Sequence, residues 1–325
     1  MMKAVLAVFA LALASAAAAQ DPSTSSGWPT RPVKVIVPSS PGGGTDLYAR
    51  LLGQALSESL KQQFVVDNRP GASGNIGAEA AAKAAPDGYT ILVSANPALT
   101  VNPHLYKNLP YNTERDIVPV ARGVIAPQVV VVHPGVKARS IKELVEIGKR
   151  EPGKLAFGSA GTGSPTFLGI RLLEEITGAQ FTHVPYKGIG AGYKDLLGGQ
   201  LAFMYPDAAT AVPYIRSGKL IALAVNEKTP LLPGVPTFAE LGWPAVDKVF
   251  TSFSVAVPTG TPAPVIRKLS AEIAKAMKSP ALADKLEPQG LVPVFDTPEQ
   301  AARSLKQERD GWADFIRRNG LTAGD

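Results

Sequence analysis

The 325-residue chain has no cysteine, which excludes disulfides, cysteine-ligated zinc, iron–sulfur clusters and thiol catalysis. Histidine is almost as scarce. His104, His133 and His183 are scattered without metal-ligand spacing, and no Gly-x-Ser-x-Gly elbow is present to build a serine hydrolase. Charge of either sign is sparse: 33 Lys and Arg stand against 27 Asp and Glu, with no basic block and no aromatic-interleaved basic stripe. Nucleic acid is therefore a poor partner for this composition. No stop-transfer segment follows the apolar N-terminus, so a membrane-spanning reading of that run loses to a processed one.

That N-terminus, MMKAVLAVFALALASAAAAQ, joins Lys3 to an uncharged run and ends in small residues. It reads as a signal peptide over residues 1–19, cut after Ala19, and the lack of a neighbouring cysteine excludes a lipid anchor. Loss of Lys3 leaves 32 basic against 27 acidic side chains, a formal charge of +5. The three hundred or so remaining residues suffice for two domains.

The organising stretch is VKVIVPSSPGGGTDLYARLLGQALSESL. An apolar strand over residues 33–37 enters a loop carrying Pro41, Gly42, Gly43 and Gly44. A helix then opens at Thr45 or Asp46, with Leu47, Leu51, Leu52, Ala55, Leu56 and Leu60 at helical spacing. A helix start leaves amides unpaired and carries partial positive charge, so such a loop can hold an anion. A bulky side chain at Gly43 is expected to block it. Strands at residues 64–66 and 89–93 alternate with helices, which implies an α/β, mostly parallel sheet whose ligand lies beyond the carboxyl ends of the strands. That rule sets Ser94, Ala95 and Asn96 beside the first loop.

The design recurs in the second half. Residues 129–132 form a strand; Ser140 and Glu143 read as a capping box, and the loop GSAGTGS, with Ser159, Gly161, Thr162, Gly163 and Ser164, leads into a helix with Pro165 at its first position. Leu168, Leu172, Leu173 and Ile176 mark the expected buried side of that helix. Two glycine loops, each opening its own α/β unit, suggest two lobes that present helix starts to one cleft. Neither loop has a nucleotide-binding ending. Tyr186, Lys187 and Asp207, at later strand ends, face the same cleft by the same rule. Residues 250–257 read as a strand crossing between lobes, and the remaining helices are expected to pack on the first lobe.

RPVKVIVPSSPGGGTDLYAR, DNRPGASGNIGAE, APDGYTIL, GSAGTGS, VPYKG, DLLGGQ, GKLIALAV, LPGVPTFAELG and GTPAP stand here in the order and spacing of the substrate-binding receptors of tripartite tricarboxylate transporters, the Bug family. The chain resembles that family over essentially its whole mature length. The resemblance implies a two-lobed periplasmic-binding-protein-like (type II) fold, with residues 28–126 and 250–325 in one lobe and 127–249 in the other. It implies a periplasmic, monomeric, non-enzymatic receptor without cofactor or metal, closing on a small carboxylate and serving membrane transporter subunits. Ligand contacts are implied at the first glycine loop, at residues 94–96, at residues 159–164 and at Asp207. The chain differs from the family pattern in having Ser39 and Ser40 ahead of Pro41, Phe167 where a histidine is common, and Arg171 where a glutamate is usual.

Two other readings stand beside this one: a sensor input for a membrane kinase, and an exported hydrolase. Asp46 leaves a choice open, since it either turns away to cap its helix or joins Asp207 in binding an ammonium or amide group. Arg171 is expected to add positive potential near the second loop.

Overall fold

The computed structural model describes residues 27–186 and 188–322; the expected leader and Lys187 lie outside the described residues. Its strands are β1 (Val33–Val37), β2 (Phe64–Asn68), β3 (Thr90–Ala95), β4 (Ile117–Ala126), β5 (Val129–Val132), β6 (Ala156–Ser159), β7 (Thr182–Pro185), β8 (Phe203–Met204), β9 (Ile221–Val225), β10 (Thr251–Pro258) and β11 (Val292–Pro293). They make two sheets, ordered β11-β4-β10-β3-β1-β2 and β7-β6-β8-β5-β9. The longer helices are α1 (Gly44–Leu60), α2 (Asn75–Ala82), α3 (Ile141–Arg150), α4 (Pro165–Thr177), α5 (Ile189–Leu197), α6 (Ala208–Arg216), α7 (Ala263–Met277), α8 (Pro280–Leu286) and α9 (Pro298–Arg318). The result is a two-lobed α/β fold, one sheet to each lobe.

Both sheets are mixed, which corrects the expectation of mostly parallel ones. β1 is parallel to β2 and β3, while β10 runs antiparallel to β3 and β4, and β11 to β4. In the second sheet β6 is parallel to β7 and β8, while β5 is antiparallel to β8 and β9. The antiparallel pairs involve strands that leave or enter a lobe through the inter-lobe connections. These are not βαβ crossovers and carry no constraint to run parallel. β10 itself lies wholly in the first sheet, so the crossing occurs just ahead of it.

α1 forms because Tyr48, Ala49, Leu52 and Leu56 recur on one face, each no more than 1% exposed. Leu47, Leu51, Ala55 and Leu60 flank that stripe and are only partly buried. The helix settles on β4 through a close approach: a Cβ at Gly123 would lie 1.6 Å from the Tyr48 hydroxyl. α3 starts as expected, with the Ser140 hydroxyl accepting from the Glu143 amide, though the Glu143 carboxylate reaches back to the amide of Arg139. In α4 the buried residues are Phe167, Leu168, Ile170 and Leu173, and Ile176 is exposed, so its buried face is rotated from the expected one.

α7 packs on the first lobe through Leu269 and Ile273. α9 does not stop there. Leu305 joins Ile36 and Leu92 in the first lobe, whereas Phe315 and Ile316 enter the second lobe's core with Phe157 and Phe203. The two single helical turns Pro97–Thr100 and Asn102–Leu105 do the same on a smaller scale: Leu99 packs in the first lobe, and Val101 and Leu105 in the second. The expectation that the terminal helices belong to the first lobe alone is thereby corrected.

Candidate functional site

The carboxyl ends of β1, β2 and β3 on one side and of β6 and β7 on the other bound a cleft with two chambers. The smaller, about 200 Å³, is walled by Ser39, Thr45, Ser73, Gly74, Ser94, Ala95 and Asn102 from the first lobe and by Ala160, Thr162, Gly163 and Ser164 from the second. The larger, about 660 Å³, shares Pro38, Ser39, Ser73, Gly74, Ala160 and Thr162 with it and adds Ser40, Pro70, Tyr106, Gly161, Pro185 and Tyr186. No described residue lining either chamber carries a formal charge.

The two helix starts at the cleft are not equivalent. At α1 the N-cap is Gly43, which supplies no side chain, so the amides of Gly44, Thr45 and Asp46 have no protein acceptor among the described residues. At α4 the Ser164 hydroxyl accepts from the Phe167 amide at 3.3 Å, and Pro165 has no N–H to offer. The first lobe therefore presents an open positive pole, and the second lobe a capped one. Beside the open pole, the Ser39 Oγ is buried without a hydrogen-bond partner. The wall at residues 71–74 holds four successive residues at positive φ, including Ala72 at 47° and Ser73 at 54°. Such conformations cost about 1–3 kcal/mol each in non-glycine residues and cluster where a loop shapes a site.

Of the expected residues, Thr45, Ser94, Ala95, Gly161, Thr162, Gly163, Ser164 and Tyr186 come together at the cleft. Pro41, Gly42, Gly43 and Gly44 are exposed and outside both walls, between Ser40 and Thr45, which line them. A Cβ at Gly43 would meet nothing nearer than the Ser40 carbonyl at 3.7 Å, so a side chain there has room. Asn96 is buried elsewhere: its Oδ1 accepts from the Ser252 hydroxyl at 2.6 Å, and its Nδ2 donates to Glu308. Ser159 is sealed in the second lobe, its Oγ 2.7 Å from His183 Nε2. His183 is held between Phe157 and Phe167, and burial together with the Arg171 charge pushes it down to about 4. This serine–histidine pair has no access to either chamber. Arg171 pairs with Glu174 at 2.7 Å and lies over the Phe167 ring, not at the second loop.

Asp46 resolves the choice left by the sequence. Its Oδ2 accepts from the Gly42 amide at 2.9 Å and Arg50 Nε at 3.0 Å, and its Oδ1 accepts from Asn68 Nδ2 at 2.9 Å. Burial raises its pKa, but the Arg50, Gly42 and Asn68 hydrogen bonds outweigh that and hold it below the ordinary 3.8. Asp46→Ala, which strands these donors, is expected to cost about 1–3 kcal/mol in urea unfolding at pH 7. Because the folded pKa is depressed, that contribution is present above the unfolded value and lost as pH falls through the folded one. Asp207 sits where the chain crosses between lobes, bridged to Gln128 and next to Thr251. Desolvation pushes it up to about 6, with the Thr251 hydroxyl opposing. Neither aspartate lines a chamber, so no carboxylate of a described residue is placed there to meet an ammonium group.

The sequence reading omitted Ser39, Ser73, Gly74, Asn102 and Tyr106 from the site. The strand-end rule applied to β2, as it was to β1 and β3, finds residues 71–74. Asn102 is then fixed by its own bonds, since its Nδ2 donates to the Ser73 carbonyl at 3.0 Å and to Asn75 Oδ1 at 2.7 Å.

Two α/β lobes with a chamber of neutral walls between them define a solute-binding receptor. The chain belongs to the tripartite tricarboxylate transporter receptor family, whose profile matches residues 48–321. It is 39% identical over 322 residues to protein BugT of Bordetella pertussis (strain Tohama I), covering 98% of each chain. Among solved structures it is similar to periplasmic binding protein BugD, with a TM-score of 0.78 and 32% identity over 91% of this chain and 99% of that one. It is also similar to Rpa4515 of R. palustris with adipate, with a TM-score of 0.81 and 32% identity over 91% and 99% of the two chains.

Proposed function

We propose that this protein captures a small organic carboxylate in the cleft and passes it to the membrane subunits of a tripartite transporter, after export directed by residues 1–19. The observation that carries this reading is the open N-terminus of α1 beside the partnerless Ser39 hydroxyl, in a chamber walled by both lobes. A carboxylate held by the Thr45 region and by Ser39 docks first on the first lobe, because the second lobe's helix start is already capped by Ser164. Closure follows to the extent that the ligand also touches Ala160, Thr162 and Gly163. The moving bodies are residues 28–126 with 250–325 and residues 127–249, the end of α9 travelling with the second. Charge-assisted hydrogen bonds contribute about 1.5–3 kcal/mol each, so three or four give about 4.5–12 kcal/mol, a range that spans the roughly 8 kcal/mol of micromolar binding.

The test is a thermal-shift screen over mono-, di- and tricarboxylates. A ligand at about a hundred times its Kd stabilises the folded state by about 2.7 kcal/mol, a rise of about 5 °C for a chain of this size. If no organic acid raises Tm, the carboxylate reading is wrong.

A further inference from the structure

The wall that the second lobe gives to both chambers is shaped from behind. Gly161 at φ +105° and Gly163 at φ +85° have many backbone alternatives open to them, so the loop needs ties to keep one form. Its own residues supply most of these. The Ala160 amide donates to Thr166 Oγ1 at 2.9 Å, and Ser164 donates its hydroxyl and its amide to the Gly161 carbonyl at 2.7 and 3.1 Å. The Gly161 amide donates to Ser159 Oγ at 3.0 Å. One link leaves the loop: Ser159 Oγ lies 2.7 Å from His183 Nε2 on β7.

Proton counting gives that link its direction. Ser159 is fully buried, and a serine hydroxyl has one proton and two lone pairs. With one lone pair taken by Gly161, a proton on His183 Nε2 would fill the other and strand the serine proton, which has no other acceptor among the described residues. A bare Nε2 receives that proton instead, and every group in the chain is used. The surroundings keep the ring neutral, as this requires. Phe157 and Phe167 enclose it with ring centroids 5.0 and 4.5 Å away, and the Arg171 guanidinium lies over Phe167. Burial first, and then the Arg171 charge, pushes His183 down to about 4.

Resting on the receptor reading above, we infer that His183 is the positioning residue of this wall: it accepts from Ser159, and Ser159 in turn accepts from the Gly161 amide and holds the loop in the shape that meets the ligand. His183 itself lines neither chamber. Without the tie the ligand must order the glycines itself, which weakens binding.

Long-range proton–nitrogen spectra of labelled histidine read the tautomer directly, with only His104, His133 and His183 to assign. His183 should carry its proton on Nδ1 at pH 7, and a proton on Nε2 overturns the inference. His183→Leu and Ser159→Ala should each speed solvent exchange of the Gly161 amide about ten-fold. The Ala202 amide, bonded to the Ala156 carbonyl in the same lobe, should not change, which separates the tie from loss of fold. His183→Gln, whose side-chain carbonyl can take the place of Nε2, should restore slow exchange. In the Ser159→Ala background His183→Leu should add nothing. Titration with succinate, adipate and benzoate carries the tie to binding: each acid that binds the parent should bind His183→Leu about ten-fold more weakly and His183→Gln about equally. Unchanged exchange, unchanged affinity or additive effects of the two substitutions overturn the inference and leave the receptor reading standing. His183→Gln behaving like His183→Leu overturns it too, by showing that ring packing and not the accepted proton holds the loop. If none of the three acids binds the parent, the carboxylate reading fails, and the tautomer and exchange results alone decide the tie.

Discussion

Gly163→Ala is expected to lower ligand affinity about ten-fold or more. Gly163 sits at φ +85°, a conformation that costs an alanine about 1 kcal/mol or more, and its new Cβ would lie 2.2 Å from Leu105 Cδ1 with Val101 Cγ1 at 3.5 Å. Leu105 is 3% exposed, so its side chain has little freedom to yield. The turn that bears it is tied to the first lobe through Asn102, but Leu105 itself packs in the second lobe's core, so the clash falls where that core backs the smaller chamber's wall at residues 162–164. Overpacking of this kind costs about 1–3 kcal/mol and is relieved by displacing the chamber wall at Gly163, and each 1.4 kcal/mol lost from the bound form is about a factor of ten in apparent Kd. Isothermal titration of the single and double variants checks the cause. In the Gly163→Ala background, Leu105→Ala should cost less affinity than it does in the parent, because it makes room for the methyl group. Additive losses would mean that the two side chains do not contend for the same space.

Glu308→Gln should raise stability at pH 8 and remove a pH dependence. Glu308 reaches from α9 into the first lobe, where Thr100 Oγ1 donates to it at 2.9 Å and Asn96 Nδ2 donates as well. Desolvation pushes its pKa up to about 7 from an ordinary 4.5, against the lowering effect of Thr100, Asn96, Trp312 and Arg122. The folded protein therefore keeps a proton that the unfolded chain releases between those values. Stability is highest below about 4.5, falls as pH rises to about 7, and stays low above it. The gap corresponds to a loss on the order of 3 kcal/mol, or about 5 °C in Tm. Glutamine can accept from Asn96 and donate to the Thr100 hydroxyl, whose single proton then turns from residue 308 to the Asn96 backbone carbonyl, 3.0 Å away. Melting curves from pH 4.5 to 8 should show the parent losing several degrees relative to the variant. Parallel curves, or a less stable variant at pH 8, would show that Glu308 is held ionised by its partners.

Much of this architecture is legible in the residues because local signals agree there. Val33–Val37 and Val129–Val132 are short apolar runs bounded by turn residues, and both strands fall at the bounds those residues imply. Ser164 and Pro165 announce the start of α4 by capping chemistry alone. β4 was invisible for the opposite reason. Pro119, Arg122 and Gly123 interrupt its apolar pattern, and its pairing with β10 is irregular at two points, so only its partners define it as a strand. The site divides along the same line. Loops adjacent in sequence to a strand end were found from the chain, whereas Asn102 and Tyr106 reach the cleft through two helical turns whose placement is a matter of tertiary packing. The three glycines that drew attention first shape the turn into α1 without lining either chamber, and Asp46 fastens that turn.

The way α9 and the Val101–Leu105 turn complete the second lobe bears on any attempt to exchange lobes among relatives. A graft of residues 127–249 alone would arrive with holes where Val101, Leu105, Phe315 and Ile316 belong. A chimera that also carries residues 97–106 and 312–321 from the same donor keeps the transplanted interior whole, so the second lobe travels between receptors as this three-part set.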